Sequence, residues 1–307
     1  FPGGRGIFGR DQRDGFLLAL DHLGGKLGGL PAKIVIGDTQ HKPDVGRQVM
    51  DKFLKKDKVH FVAGITWSNV LAAVYKQALK SKTFLISTNA GWSGLDGKFC
   101  NPYFFRSSWN NDATPEAMGK ALQLENLNDV YLLSANYQAG KDSQAGFKHS
   151  YTGATAGEVY TELGQLDFSS ELAQIAAFQP DAVFTFMPGG MGVNLVKQYS
   201  QAGLSSIPFL SAFTVDETTL PATQDAAVGM LGGANWAPDM DNEANKAFVD
   251  AYIAKYDAVP GTYAMQAYDA AQLIDSAVKK LGGDLTDRDA LRAAIHEADF
   301  DSPRGDF

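Results

Sequence analysis

The chain is poor in cysteine, in basic charge and in long apolar runs, and each shortage excludes a class of protein. Cys100 is the only cysteine, so no internal disulfide can form, and we expect this residue to be a small buried apolar side chain. The 27 Lys and Arg are outnumbered by 35 Asp and Glu, for a net charge of −8. That balance argues against nucleic-acid and anionic-membrane partners. No apolar run approaches the roughly 18 residues that span a bilayer.

The sequence also lacks the common catalytic and metal-binding motifs. It contains no C-x-x-C, H-E-x-x-H, G-x-S-x-G or G-x-x-x-x-G-K-[ST], and its 5 histidines are scattered. We therefore predict no catalytic residues, no metal and no cofactor.

One glycine motif argues the other way, because Gly4, Gly6 and Gly9 spell G-x-G-x-x-G. A dinucleotide site requires a strand before this motif, a helix directly after it and an acid about 20 residues further on. Asp38 lies well beyond that spacing. We favour a flexible loop leading into a helix that begins near Arg10. An NAD-dependent enzyme is the alternative from another functional class.

Short β-rich runs alternate with amphipathic helical runs, which predicts an α/β fold with mainly parallel sheets. The predicted strands are KIVIGD, HFVAG, TFLIS, DVYLLS, GEVYT and DAVFTF. The first three predicted helices have apolar faces formed by Phe16, Leu17, Leu20 and Leu23, by Val45, Val49, Phe53 and Leu54, and by Val70, Ala73, Val74 and Leu79. Further helices are predicted at about 114–124, 141–151, 169–178, 190–201, 242–256, 263–281 and 287–297.

Two polar segments, RSSWNNDATPEAM and GGANWAPDMDNEAN, are longer and more polar than the short turns of a compact domain. They are typical of a chain that crosses between two lobes. They contain Trp109 and Trp236. A single doubly wound domain is possible, but two lobes fit better. We predict lobe 1 at 1–107 plus 238–301 and lobe 2 at 108–237.

Small, hydroxyl and aromatic residues concentrate in the loops that follow predicted strands. Ligands of open α/β sheets bind at such carboxyl ends. Polar contacts are offered by Ser68, Asn69, Thr88 and Asn89, and flat apolar surfaces by Trp67, Trp92, Tyr137 and Phe213.

Ser68 stands at the start of a predicted helix and has two interpretations. Its hydroxyl and the amides of Ser68 and Asn69 would hold a carboxylate at the positive end of the helix. The alternative, favoured by the pattern alone, is a plain N-cap that contributes roughly 1 kcal/mol of stability.

The stretches AGITWSN, LISTNAGWSG, FFRSSWNND and ANYQAGKD resemble the periplasmic substrate-binding proteins of branched-chain amino acid type ABC transporters. The resemblance continues through FGRDQRDGFLLAL, VKQYSQAGL and PGTYAMQAYDAAQLI and covers almost the whole chain. It implies a type I periplasmic binding protein, with two doubly wound Rossmann-like lobes, three crossovers and a ligand in the cleft between them. Family members normally have a strand before Phe1 and a segment after Phe307, so the chain looks trimmed, with the third crossover near 302–307.

The resemblance also implies the setting and the ligand contacts. It suggests a monomeric periplasmic protein that delivers its ligand to an ABC permease, without a cofactor. The ligand carboxylate is expected at Ser68 and the amide of Asn69, and Arg10 is a second candidate anchor. The implied ligand-binding residues are Phe8, Thr66, Trp67, Ser68, Asn69, Asn89, Ala90, Gly91, Trp92 and Tyr268 in lobe 1, and Tyr137, Ala139, Pro188, Gly189 and Phe213 in lobe 2. Tyr268 fits a core position equally well.

One departure from the family pattern bears on the ligand. Amino-acid-binding members have an acid in the loop after PFL, where this chain has Phe213. Burying an ammonium without a counter-ion is costly, and an aromatic side chain favours a ring. We therefore expect an aromatic acid of the benzoate or hydroxycinnamate type. Asp216 or Glu217 would compensate if the alignment shifts by three, so a branched-chain amino acid is the alternative ligand. A cytoplasmic amide sensor of the same fold is a separate alternative.

Overall fold

The computed structural model describes residues 6–305 and confirms an α/β protein with parallel main sheets. Internal packing divides the chain into two compact units. The first consists of Gly6–Trp109 and the chain from Trp236 onward, and the second of Asn110–Asn235. The lobe limits predicted from the sequence lie close to these two divisions of the chain. Residues 302–305, where a third crossover was expected, belong to the first unit.

The elements follow the alternation seen in the sequence. The helices are α1 (Ile7–His22), α2 (Pro43–Asp51), α3 (Ser68–Lys80), α4 (Ala113–Leu124), α5 (Gln138–Ser150), α6 (Ser169–Phe178), α7 (Gly190–Gln201), α8 (Leu220–Thr223), α9 (Glu243–Tyr256), α10 (Thr262–Lys280) and α11 (Arg288–His296). The strands are β1 (Lys26–Leu27), β2 (Leu30–Pro31), β3 (Phe61–Gly64), β4 (Phe84–Ser87), β5 (Phe104–Arg106), β6 (Asp129–Ala135), β7 (Ala154–Thr161), β8 (Ala182–Phe186), β9 (Phe209–Ala212) and β10 (Leu231–Gly233). All helices predicted beyond Trp109 are present, with ends shifted by a few residues.

The main sheet of the first unit contains β3, β4 and β5 in that order, all parallel. β4 is central and its side chains are buried on both faces. Leu85 packs with residues of α3 on one face, whereas Phe84 and Ile86 pack with α10 and α11 on the other. Helices therefore cover both faces, as parallel sheets require.

The second unit has one parallel sheet in the order β10-β9-β8-β6-β7. Its central strand β8 is buried throughout. Tyr131 and Leu133 of β6 pack in one core cluster with side chains from α6 and α7. The carboxyl ends of β6, β8 and β9 meet at one edge because these neighbouring strands are parallel.

The predicted strand KIVIGD is wrong, since residues 33–38 are not in a strand. Alternating Ile34 and Ile36 suggested one, but both side chains are exposed, at 38% and 54%. A strand exists only when a neighbour completes its hydrogen-bond ladder, and no strand within the described residues pairs with this segment.

Helix α1 starts at Ile7 rather than near Arg10, so Gly9 lies in its first turn. Its predicted apolar face is also partly wrong, because Phe16 and Leu17 are only half-buried and Leu23 lies beyond the helix end. The buried residues of α1 are Phe8, Asp11, Gln12, Gly15, Leu18, Ala19 and Leu20. Sequence reasoning missed this face because three of its members are polar residues or glycine.

Cys100 is exposed, which corrects the expectation of a buried apolar role. It lies in a turn where its backbone N–H donates to the carbonyl oxygen of Gly97. A turn at the surface offers a small side chain no core to enter.

Between residues 6 and 305, no helix is both long and apolar enough to cross a membrane.

Helix α1 is held against α10 by a close backbone approach and a buried carboxylate. Gly15 lies so near α10 that a Cβ there would be 2.0 Å from the carbonyl oxygen of Ala264. One turn earlier, the Asp11 carboxylate accepts hydrogen bonds from the Tyr252 hydroxyl at 2.8 Å and from the Ala264 amide at 3.1 Å. The two contacts fix α1 on α10 along the face that carries Phe8.

We predict that Gly15→Ala destabilises the protein. Alanine favours a helix over glycine by about 1 kcal/mol, but overpacking against backbone costs about 3 kcal/mol. The net loss in free energy of unfolding, about 2 kcal/mol, is measured by urea denaturation. The control is Gly97→Ala, whose Cβ would meet no described atom within 4 Å. Unchanged or raised stability of Gly15→Ala would contradict the packing.

Candidate functional site

Two loops leave the same edge of the first unit's sheet. Gly64 ends β3 directly opposite Ser87, which ends β4. The parallel pairing continues one step past the strands, since the Thr88 amide donates to the Gly64 carbonyl oxygen at 3.0 Å. Residues 65–69 and 88–92, which contain most of the candidate residues, therefore start side by side.

Further hydrogen bonds tie these loops together. The Ala90 amide donates to the Ile65 carbonyl oxygen at 3.0 Å. The Asn89 side-chain amide donates to the Thr66 carbonyl oxygen at 2.6 Å. Ile65 has a φ of 68°, a left-handed conformation unusual for a branched residue. The structure thus brings Thr66, Asn89 and Ala90 together.

Ser68 does not cap α3, and this corrects the N-cap interpretation. Trp67 occupies the N-cap position, with φ −112° and ψ 128°, and Ser68 is already the first helical residue. No cap hydrogen bond from the Trp67 side chain is present in the described chain. The first amides of a helix lie at its partial positive charge. Ser68 is buried at this end, at 2% exposure.

Aromatic rings lie beside this helix end. The Phe8 ring is 4.4 Å from that of Tyr263 and 6.3 Å from that of Trp67, measured between centroids. His41 covers another part of Trp67, with centroids 4.6 Å apart. The structure therefore places Phe8 and Trp67 together.

Trp92 packs with a different set of aromatic rings. Its ring contacts Tyr75 and Phe99, each at 5.3 Å between centroids, and it leaves no room for a Cβ on Gly94. Its carbonyl oxygen accepts a hydrogen bond from Arg106 at 3.3 Å. Trp92 is therefore packed among neighbouring side chains of the first unit.

Tyr268 makes the contacts expected of a core residue, which was one of its two predicted roles. Its ring lies 4.9 Å from that of Phe248, and its hydroxyl is 2.9 Å from His22 Nδ1. Burial raises the pKa of the Tyr268 hydroxyl, and Asp269 adds to this effect. His22 ends α1, whereas Phe8 lies in its first turn, about 21 Å away at 1.5 Å per residue.

Gln12 is a polar residue of this region that sequence reasoning missed. It lies one turn after Phe8 on the buried face of α1, at 7% exposure. The Thr66 hydroxyl donates to its Oε1 at 3.3 Å. The spacing of four residues from Phe8 is the signal for a shared helix face. The sequence instead predicts a loop up to about Arg10, because of the glycine motif.

In the second unit, a row of aromatic rings follows the carboxyl ends of β6, β8 and β9. The centroids of Tyr137 and Phe186 are 6.2 Å apart, and those of Phe186 and Phe213 are 6.4 Å apart. Phe186 was missed, although it is the last residue of the predicted strand DAVFTF. Strand order alone brings these three residues into a row.

The second-unit candidates Tyr137, Ala139, Pro188 and Gly189 lie at the starts of helices at the same edge. Tyr137 is the N-cap of α5, and Ala139 is buried in the first turn of that helix. Pro188 is buried, and Gly189 caps α7 with φ 55°. Burial, with a further contribution from Asp142, raises the pKa of the Tyr137 hydroxyl. Tyr137 therefore keeps its proton at neutral pH.

Phe213 and Asp216 occupy the loop where an ammonium partner was considered. Phe213 is buried and has a left-handed φ of 56°. Asp216 Oδ1 accepts from the amide and hydroxyl of Thr218 and from the Thr219 amide. Burial nevertheless raises the pKa of Asp216. Its Oδ2 is buried, with no hydrogen-bond partner in the described part of the chain.

The described residues contain no cluster of three His, Cys, Asp or Glu that could hold a metal ion. Of the glycine motif, Gly6 is the N-cap of α1 and Gly9 lies in its first turn, whereas Gly4 lies outside the described residues.

Comparisons with known proteins agree with this architecture. The sequence profile of a family described as periplasmic binding protein matches residues 1–307. A solute-binding protein of an ABC transporter from R. palustris, solved with benzoate, is 32% identical with a TM-score of 0.95, over 99% of this chain and 85% of that one. Another from Rhodopseudomonas palustris BisB5, solved with 3,4-dihydroxybenzoic acid, is 28% identical with a TM-score of 0.91 over the same shares.

A curated relative also matches almost the whole chain. The Leu/Ile/Val-binding protein homolog 6 of Brucella melitensis is 25% identical over 319 residues, which cover 99% of this chain and 80% of the relative.

We predict that Asn89→Asp destabilises the first unit. Aspartate keeps the shape but replaces the donor by an anionic oxygen that faces the Thr66 carbonyl oxygen. Loss of the bond lowers the free energy of unfolding by about 1–3 kcal/mol, measured by urea denaturation at neutral pH. The control is Asn101→Asp, because Asn101 acts there as an acceptor from the Tyr103 amide, a role that aspartate keeps. Equal stability of both variants would show that the hydrogen bond from Asn89 to the Thr66 carbonyl oxygen does not stabilise the unit.

Proposed function

The chain belongs to the periplasmic binding protein family, and from that premise we propose that it captures an aromatic carboxylate for an ABC importer. The family consists of transport solute-binding proteins, not of NAD-dependent enzymes. The proposal includes a periplasmic location and a membrane permease as partner. It is supported by the similarity to the R. palustris protein solved with benzoate.

The carboxylate of the ligand is proposed to bind at the N-terminus of α3. The first turn of an α-helix carries a partial positive charge and N–H groups that point along its axis, so the amides of Ser68 and Asn69 are suited to carboxylate oxygens. The Ser68 hydroxyl adds a further donor. The observation that carries the proposal is this helix end beside the Phe8–Trp67 pair.

The ring of the ligand is proposed to lie against aromatic side chains. Phe8 and Trp67 offer that surface in the first unit. In the second unit, the row of Tyr137, Phe186 and Phe213 offers the same type of aromatic surface. Aromatic pairs add about 0.5–1.5 kcal/mol beyond the burial of area.

One observation supports a second candidate, a branched-chain amino acid. The Asp216 Oδ2 atom is buried without a partner among residues 6–305, and an ammonium would satisfy it. The name of the Brucella melitensis relative points the same way. Against this candidate, the Asp216 carboxylate is already engaged through Oδ1 in the turn before α8.

Calorimetry with benzoate, 4-hydroxybenzoate, leucine, isoleucine and valine tests the proposal. We expect binding of an aromatic acid and no binding of the amino acids. Tight binding of leucine, abolished by Asp216→Asn, together with no binding of aromatic acids, would establish the second candidate instead.

We predict that Ser68→Ala weakens binding of the aromatic acid about tenfold, since a hydrogen bond to a charged group contributes about 1.5–3 kcal/mol. Ser68→Asp should abolish it by placing a carboxylate against the ligand carboxylate. The measurement is calorimetry, with Ser169→Asp as the control. Ser169 is the first residue of α6 and is exposed. Unchanged affinity in both Ser68 variants would rule out this anchor.

A further inference from the structure

Unpaired buried polar atoms gather at the carboxyl edge of the first unit's sheet. Gln12 Nε2, Asn69 Oδ1, Thr88 Oγ1 and Asn89 Oδ1 are all buried without a hydrogen-bond partner inside the described chain. A buried polar group that lacks a partner destabilises a protein. Several in one place indicate that another molecule supplies the partners.

Gln12 and Asn89 both hydrogen-bond to Thr66, through different atoms of that residue. Gln12 binds its hydroxyl through Oε1 at 3.3 Å, and Asn89 binds its carbonyl oxygen through Nδ2 at 2.6 Å. A carbonyl oxygen only accepts, so the Asn89 amide must present Nδ2 to it and leave Oδ1 unpaired. The Gln12 amide correspondingly leaves Nε2, a donor. One donor and one acceptor thus lie beside the same residue.

We propose that Gln12 is a ligand-contact residue that acts with Asn89 to recognise a hydroxyl group on the aromatic ring. This inference rests on the proposed function. A hydroxyl accepts a hydrogen bond and donates one, so it pairs with Gln12 Nε2 and with Asn89 Oδ1 together. A carboxylate only accepts and would be repelled by Asn89 Oδ1. The carboxylate therefore belongs at α3, and the ring hydroxyl at Gln12.

The position of Gln12 suits such a ring substituent. It lies four residues after Phe8 on the same face of α1, and the Phe8 ring is next to Trp67. An aromatic ring against Phe8 therefore has the Gln12 amide beside its edge. The ligand class is accordingly a hydroxylated aromatic acid rather than benzoate itself, which would leave both amide atoms unpaired.

The test compares wild type with Gln12→Met, which keeps the length of the side chain and removes its hydrogen bonds. Calorimetry is performed with benzoate, 3-hydroxybenzoate and 4-hydroxybenzoate. We expect wild type to bind one hydroxybenzoate about tenfold more tightly than benzoate, since sites built for a hydroxyl reject analogues that lack it. Gln12→Met should remove most of that preference and leave benzoate affinity within about twofold.

Two further variants keep the result interpretable. Gln77→Met is the matched control, because Gln77 donates through Nε2 to Asp51 Oδ1 at 3.0 Å and leaves a buried Oε1 unpaired within the described residues, away from Thr66. It should change neither affinity. Gln12→Leu removes both hydrogen-bonding atoms without adding a charge, and is used if Gln12→Met does not fold. It should likewise lower the preference for the hydroxybenzoate.

The outcomes separate this inference from the proposed function. Equal weakening of benzoate and hydroxybenzoate by the Gln12 variants, or no effect on either, overturns the role of Gln12 and leaves the aromatic-acid function intact. Failure of wild type to bind any of the three acids overturns the proposed function, and this inference with it.

Discussion

The in-register parallel pairing of β3 with β4 is the constraint on which the candidate site depends. Because Gly64 lies opposite Ser87, the loops after both strands begin at the same level of the same sheet edge. The hydrogen bond from Asn89 to the Thr66 carbonyl oxygen then holds them together beyond the sheet. A register shift of one residue would separate these atoms and turn their side chains to the opposite face.

Helix α1 adds the other half of the first-unit site, and its placement depends on groups that do no recognition themselves. Gly15 allows its backbone to reach α10, and the Asp11 carboxylate satisfies the Tyr252 hydroxyl and an amide at the start of α10. A buried carboxylate is tolerable only with such partners. The same helix face therefore carries structural polar groups at Asp11 and a polar group of proposed function at Gln12.

In the second unit too, neighbouring parallel strands end side by side at one edge of the sheet, but with different residues. Adjacent parallel strands end in Ala135, Phe186 and Ala212, and the residues at or just past these ends form the aromatic row. Its surface is apolar where the first unit presents hydrogen-bonding groups.

The sequence by itself determined the alternation of strands and helices, the two polar segments at Trp109 and Trp236, and the loops that hold the candidate residues. These features are local: hydrophobic period, turn residues and helix starts are written within short windows. The resemblance to the binding proteins added roles for Ser68, Asn69 and Asn89.

Only the tertiary structure decided which of these residues meet. It left KIVIGD without a strand partner among the described residues, exposed Cys100, made Trp67 rather than Ser68 the cap of α3, and packed Trp92 and Tyr268 with other aromatic residues. It also brought Gln12 to Thr66, 54 positions away. Pairing, burial and hydrogen bonding of this kind depend on partners far along the chain, and a local pattern contains no information on where those partners lie.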